Sequence, residues 1–150
     1  MQFKLERINE IILEPIPDHP WESGAVFNPG TIRIDDNIHM LYRAVEGNNR
    51  SAIGYARLDR SAKILSRIEH PVITPSLPEE QQGCEDPRIV RFRDRILIFY
   101  TGFDGADMKA GKNARVVLAE TADFFNFSRD FGSHPHPARD ARRPLPARAR

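Results

Sequence analysis

The sequence predicts an all-β protein built from propeller-like blades. One observation is an internal repeat, in which the same pattern of residues returns 58 positions further along the chain. A second is that short segments rich in β-branched and aromatic residues alternate with polar turns, which is typical of strands. A third is that no stretch shows a long helical period of apolar residues.

The repeat aligns residues 28–46 with residues 86–104 without a gap. The identical pairs are Pro29/Pro87, Arg33/Arg91, Asp36/Asp94, Ile38/Ile96 and Tyr42/Tyr100. After a longer loop, residues 53–56 resemble residues 116–119. A repeat of roughly 40–60 residues made of short strands indicates propeller blades. Chance similarity between two unrelated hairpins is the alternative.

The elements follow from this pattern. Strands are predicted at residues 31–34, 38–45, 52–58, 89–92, 95–101 and 115–121, with polar turns at 35–37 and 93–94. Apolar spacing in residues 1–14 predicts a short helix or a leading strand, which Pro15 would end. Trp21 and Phe27 are predicted to pack at the entry of the first blade.

Composition limits the class of protein. The 150 residues suffice for one domain, and 40% hydrophobic content with a mean hydropathy of −0.51 is typical of a soluble globular protein. No apolar run is long enough to span a membrane, and no signal-peptide pattern opens the chain. The single cysteine, Cys84, excludes an internal disulfide and fits a reducing compartment, so we expect a cytoplasmic protein. No metal-binding pattern is present, and nothing near Cys84 supplies the base that a nucleophilic thiol needs.

The chain divides into a body, residues 1–131, and a tail, residues 132–150. The tail holds five arginines and four prolines and carries a charge of +4, whereas the body carries −3. The net positive charge of the whole chain therefore comes from the tail and gives no evidence for a nucleic-acid-binding surface on the body. With one large apolar residue, the tail is predicted to be disordered. It is either a basic arm or, as we favour, the product of a shifted reading frame or a truncation.

The segment 83–89 reads Gly-Cys-Glu-Asp-Pro-Arg-Ile and is the strongest candidate for a site. Strand alternation predicts that only one of Glu85 and Asp86 faces a given site. Pro87 is expected to push Asp86 into an extended conformation. A carboxylate held in this way beside Arg88 suits a positioned acid or a clamp for a sugar hydroxyl. A strand-entry turn with a surface ion pair is the alternative.

Several short motifs, in this order and spacing, resemble the N-terminal part of glycoside hydrolase family 130, the β-mannoside phosphorylases and β-mannosidases. The motifs are Trp-Glu at 21–22, Ala-Val-Phe-Asn-Pro-Gly at 25–30, Leu-Tyr-Arg-Ala at 41–44, Ile-Gly-Tyr-Ala at 53–56, the segment 83–89, Ala-Arg-Val at 114–116 and Asp-Phe at 123–124. The resemblance covers about residues 3–131. It implies a five-bladed β-propeller with the active site in a central funnel. Furanosidase-type families with five blades are the nearest alternative.

The resemblance also implies roles for five residues. Asp86 matches the family's catalytic acid, which donates its proton to the glycosidic oxygen through a mannose hydroxyl. Asn28 and Arg43 match positions near the sugar. Arg88 follows the acid and is expected to orient it or to contact the sugar. Arg115 matches a position associated with phosphate in the phosphorylase branch.

The function implied is cleavage of a β-mannoside oligosaccharide by inverting phosphorolysis, with mannose 1-phosphate as product and no cofactor apart from inorganic phosphate as co-substrate. Hydrolysis by water is the alternative, and it requires a second carboxylate. Two blades cannot close a ring of five, so we expect this chain to expose sheet faces, to be marginally stable, aggregation-prone or oligomeric, and to show little catalysis. A sugar-binding module and an inactive fragment are the other candidates. No nucleic-acid or membrane partner is expected.

Overall fold

The computed structural model describes residues 9–105 and 114–129. Within these ranges the chain forms eight strands and two single 3-10 turns, Pro20–Glu22 and Pro78–Glu80. The strands are β1 (Ala25–Ile34), β2 (Asn37–Val45), β3 (Ser51–Leu58), β4 (Ile64–Arg67), β5 (Gly83–Phe92), β6 (Arg95–Phe103), β7 (Ala114–Thr121) and β8 (Phe127–Ser128). All six predicted strands are present. The short outer strands β4 and β8 were not predicted, because few residues in them are buried.

The strands form two antiparallel four-stranded units, which we call blade 1 (β1–β4) and blade 2 (β5–β8). A single parallel pairing, Ser51 with Gly83, joins the blades within one sheet. The all-β prediction and the two-blade prediction are thus confirmed. The two first strands, β1 and β5, contact each other where the blades meet.

The approach of β1 to β5 depends on Gly30. A Cβ atom at this position would lie 2.5 Å from the carbonyl oxygen of Pro87, closer than real Cβ contacts come. Only glycine therefore lets the two inner strands pack at this distance.

A buried glutamate recurs in each blade, at the end of each 3-10 turn. It accepts a hydrogen bond from a tyrosine of the second strand and from an arginine in or just after the fourth. We call these sets the carboxylate clusters: Glu22, Tyr42 and Arg67 in blade 1, and Glu80, Tyr100 and Arg129 in blade 2. Both glutamates are fully buried, so each cluster ties the turn that enters a blade to its middle and its outer edge. The repeat therefore extends beyond the part visible in the sequence.

The main core lies between the blades. Leu41, Ile53 and Tyr55 of blade 1 belong to one buried cluster with Ile98 and Val117 of blade 2. A turn of blade 2 adds Phe124, which stacks on His39 of blade 1 with ring centroids 4.4 Å apart. A second cluster covers the other face of blade 1.

In that second cluster, Trp21 packs with Tyr42 and Met40, as predicted for the entry of the first blade. Phe27 does not join it in the way predicted. Its side chain is 39% exposed, and its ring lies under the guanidinium of Arg43, so it belongs to the candidate site rather than to the core.

One face of blade 2 is open. Val90, Phe92, Phe99 and Val116 are exposed there, whereas their counterparts in blade 1, which are Ile32, Ile34, Leu41 and Ile53, pack against blade 2. This agrees with the expectation that two blades leave a sheet face uncovered.

The chain ends fall partly outside the described residues. Of the segment 1–14, residues 9–14 form neither the predicted helix nor a strand. The predicted disordered tail, 132–150, lies outside the described residues. Among the residues described, no helix is long and apolar enough to cross a membrane.

Candidate active site

The inner strands carry the same irregularity at repeat-equivalent positions. The pairing register shifts between Phe27 and Gly30 in β1 and between Glu85 and Arg88 in β5, which marks a bulge in each strand. Asn28 and Asp86 lie in these bulges with φ values of 48° and 52°. The prediction of an extended Asp86 is therefore wrong. Asn and Asp tolerate this left-handed conformation better than other residues with side chains, and the bulge requires a residue outside the ladder.

The bulge in β5 brings two neighbouring carboxylates to one cation. Arg43 contacts Glu85 through Nη2 and Oε1 at 2.6 Å, and Asp86 through Nη1 and Oδ1 at 3.5 Å. The prediction that only one of the two carboxylates faces the site is thus wrong. The alternation of side chains on which it rested holds only for a regular strand.

Arg43 is held on several sides. Its Nε donates to Ser51 Oγ at 3.0 Å, and the Ser51 hydroxyl donates to Glu85 Oε1 at 3.3 Å. The guanidinium carbon lies 4.9 Å from the centre of the Phe27 ring, a distance at which a cation attracts the ring face. Arg43 comes from β2, and its partners come from β1, β3 and β5.

Asp86 lies at the junction of the two blades. Asn28 Nδ2 donates to its Oδ1 at 2.9 Å, and this bond links the two equivalent bulges. The side chain of Asp86 is 36% exposed, compared with 16% for Arg43 and 19% for Glu85. The site therefore presents an accessible carboxyl beside a largely covered ion pair of Arg43 and Glu85, an arrangement suited to proton transfer or to binding a hydroxyl.

The other two predicted site residues lie apart from this network. Arg88 is exposed and donates to the carbonyl of Pro87 at 2.8 Å, and Arg115 is exposed and donates to the carbonyl of Ala114 at 3.2 Å. In the part of the chain that the structure describes, neither guanidinium is bonded to Asp86 or Arg43. The structure thus joins Asn28, Arg43 and Asp86 but not the two remaining arginines.

The sequence analysis missed Glu85 and Ser51 as members of the site. Glu85 was visible beside Asp86, but regular alternation assigned it to the other face. Ser51 carries no local signal, because its role depends on the parallel contact between β3 and β5.

Cys84 is fully buried one position before Glu85. Burial raises the pKa of its thiol well above the usual value, and the nearby charge of Glu80 raises it further. A thiol in this environment stays protonated and is a poor nucleophile. No group of three or more potential metal-binding side chains occurs among residues 9–105 and 114–129.

The fold and the site together define a class of protein, a β-propeller with a carboxyl-based site where its inner strands meet. Comparison with known proteins narrows this class. The model of glycoside hydrolase family 130, described as β-1,4-mannooligosaccharide phosphorylase, matches residues 5–130. The chain belongs to glycoside hydrolase family 130, whose members are glycoside phosphorylases and glycosidases with five-bladed propellers.

Two curated relatives come from Thermoanaerobacter sp. (strain X514). A β-1,2-mannobiose phosphorylase is 34% identical, over 79% of this chain and 48% of its own length. A 1,2-β-oligomannan phosphorylase is 30% identical, over 92% of this chain and 48% of its own length. The chain thus spans about half the length of these relatives. A solved structure from the GH130 family of mannoside phosphorylases, which contains glycoside hydrolases that target β-1,2-mannosidic linkages in Candida mannan, matches with a TM-score of 0.68 and 25% identity. That match covers 79% of this chain and 38% of the other.

Proposed function

We propose that the protein to which these two blades belong cleaves β-mannosides by inverting phosphorolysis and releases mannose 1-phosphate. The observation that carries this proposal is the accessible Asp86 at the blade junction, bonded to Asn28 and facing Arg43. The curated relatives support the substrate class, since both are phosphorylases of β-1,2-linked mannose.

Each residue has a role in this reaction. Asp86 supplies the proton that reaches the glycosidic oxygen through a mannose hydroxyl, while Asn28 and Arg43 hold the sugar. The bond between mannose C1 and the glycosidic oxygen breaks, and a phosphate oxygen bonds to C1 from the opposite face. The leaving sugar takes the proton. Arg115, and Arg88 if the sugar reaches it, would add cationic contacts to phosphate or sugar.

Glu85 is not placed to act as the base that an inverting hydrolase needs. An inverting hydrolase needs a second carboxylate about 6.5–9.5 Å from the acid, across the sugar, to activate water. Glu85 and Asp86 contact the same guanidinium, so they lie on the same side of the site. Phosphate is already anionic and needs no such base. Hydrolysis remains the second candidate, because the family's solved structures include hydrolases of β-1,2-mannosides.

Sugar binding is the first test of this proposal and can be made on the 150-residue chain. Titration with β-1,2-mannobiose, followed by amide chemical shifts, is expected to perturb residues around Asn28 and Asp86. Arg43→Ala should weaken binding, and Asp86→Asn should leave it largely intact. Asp94→Asn, with the same charge change in an exposed turn, is the control. Shifts confined to other surfaces would contradict the proposal.

Turnover is the second test. The chain alone is expected to show little, because its two blades build less than half of a five-bladed funnel. A protein carrying all five blades should release mannose 1-phosphate from β-1,2-mannobiose only when inorganic phosphate is present. In that protein Asp86→Asn should lower turnover by about 100- to 10,000-fold. Free mannose as the product, with no dependence on phosphate, would establish the hydrolase instead.

A further inference from the structure

We propose that Glu85 is a positioning residue which, together with Ser51, fixes the orientation of the Arg43 guanidinium beside Asp86. This inference rests on the proposed role of Asp86 as the acid. It assigns a function to a carboxylate that regular strand geometry would direct away from the site.

The geometry of Arg43 supports the positioning role. Two of its three nitrogens are engaged by other groups, Nε by Ser51 and Nη2 by Glu85. Because Ser51 also donates to Glu85, the three side chains form a closed triangle of hydrogen bonds. The ring of Phe27 lies against the guanidinium. Only Nη1 is left to face Asp86.

The distances show which carboxylate holds Arg43. Arg43 lies 2.6 Å from Glu85 and 3.5 Å from Asp86, so its stronger ionic contact is with Glu85. The other groups that contact Asp86 or Arg43 are the neutral Asn28 of β1, the neutral Phe27 of β1 and the neutral Ser51 of β3. Among the described contacts, Glu85 is therefore the charge that offsets Arg43.

The test follows the rotation of the Arg43 guanidinium by 15N NMR in the 150-residue chain, with its signals assigned by their loss in Arg43→Lys. Glu85→Gln keeps the length and an acceptor oxygen but removes the charge. In this variant the guanidinium should rotate several-fold faster than in the parent, because its shortest ionic contact is lost. Glu46→Gln removes the same charge from the loop after β2 and should leave the rotation unchanged. A rotation rate in Glu85→Gln no faster than in Glu46→Gln overturns the proposal.

A second measurement needs no variant and keeps the proposal testable if Glu85→Gln does not fold. In the unmutated chain the guanidinium of Arg43 should rotate slowly, so its two Nη groups should give separate 15N signals. A single averaged signal, as a free arginine gives, overturns the positioning role. Neither measurement uses sugar or turnover. A chain that passes both but binds no mannoside therefore overturns only the proposed function, and the reverse result overturns only this inference.

Discussion

Blades 1 and 2 share a backbone feature, a bulge in the inner strand, but they carry different side chains there. In both inner strands a left-handed residue precedes a proline inside a bulge, and blade 1 places Asn28 there where blade 2 places Asp86. Likewise Arg43 of blade 1 corresponds to Thr101 of blade 2, since they pair with the equivalent residues Ile53 and Val116. The repeat thus supplies the geometry twice, and the site arises because each copy contributes a different side chain.

The carboxylate clusters show a second difference. In blade 1 the ring of Tyr42 stacks with Trp21 at 6.3 Å and covers Gly54, where a Cβ atom would meet the ring at 2.3 Å. In blade 2, Glu80 also accepts hydrogen bonds from the backbone amides of Ser76 and Leu77. The buried glutamate thus gains a contact with His19 Nδ1, 2.7 Å away, in blade 1, and hydrogen bonds from two backbone amides in blade 2.

The largest expected effect is on stability, from removing the buried glutamate of blade 2. Glu80→Ala leaves Tyr100, Arg129 and two amides without their acceptor, and should lower the free energy of unfolding by about 3–5 kcal/mol. Urea unfolding measures this loss. Glu22→Ala should cost somewhat less, because that carboxylate has three partners, His19, Tyr42 and Arg67, where Glu80 has four. Glu79→Ala, one position away and not fully buried, is the control. If Glu79→Ala and Glu80→Ala lowered the free energy of unfolding equally, the carboxylate cluster would not be what stabilises the fold.

The next largest effect is the difference in stability cost between equivalent positions of the two blades. Ile53 is fully buried between the blades, whereas its counterpart Val116 is 80% exposed. Ile53→Ala should cost about 2–5 kcal/mol, and Val116→Ala should stay within about 0.5 kcal/mol. Both values come from unfolding at low protein concentration. A cost for Val116→Ala that rises with protein concentration would mean that a second copy covers the open face.

The same comparison shows how far sequence reasoning reaches. The segments rich in β-branched and aromatic residues were enough to predict six strands, and the repeat at an offset of 58 positions placed Asn28 and Asp86 in equivalent positions. It could not show that both bulges turn a residue into the left-handed region, because Pro87 alone favours an extended neighbour. The partners Arg67 and Arg129 were not recognised, because they lie in or just after the short outer strands β4 and β8, which were not predicted.

A smaller effect separates the two tyrosines. The hydroxyl of Tyr42 donates to Glu22 and accepts from Arg67 Nε at 3.1 Å, whereas Tyr100 donates to Glu80. Tyr42→Phe should therefore cost about 2–3 kcal/mol, and Tyr100→Phe about 1–2 kcal/mol. Denaturant unfolding of both variants beside the parent gives the comparison. The reverse order would show that the bond to Arg67 adds nothing to blade 1.

The smallest effect is on the pH dependence of stability, and it depends on Glu80. Burial alone would raise the pKa of this carboxyl, but hydrogen bonds from Tyr100, Ser76 and Leu77 and the charge of Arg129 outweigh it and hold the pKa below its ordinary value of 4.5. A group whose pKa is lower in the folded state contributes stability above its unfolded pKa and loses that contribution as the pH falls through the folded value. The parent should therefore lose more stability than Glu80→Gln between about pH 6 and about pH 3.5.

The variant isolates this contribution because other carboxylates cancel in the difference. Asp123 is one of them, since the backbone amides of Asn126 and Phe125 lower its pKa to about 2, and it stays ionised through this range in both proteins. Urea midpoints at the two pH values, for the parent, Glu80→Gln and Glu79→Gln, give the measurement. If Glu80→Gln loses as much stability as the parent, then folding does not change the proton affinity of Glu80, and the hydrogen bonds of blade 2 do not lower its pKa.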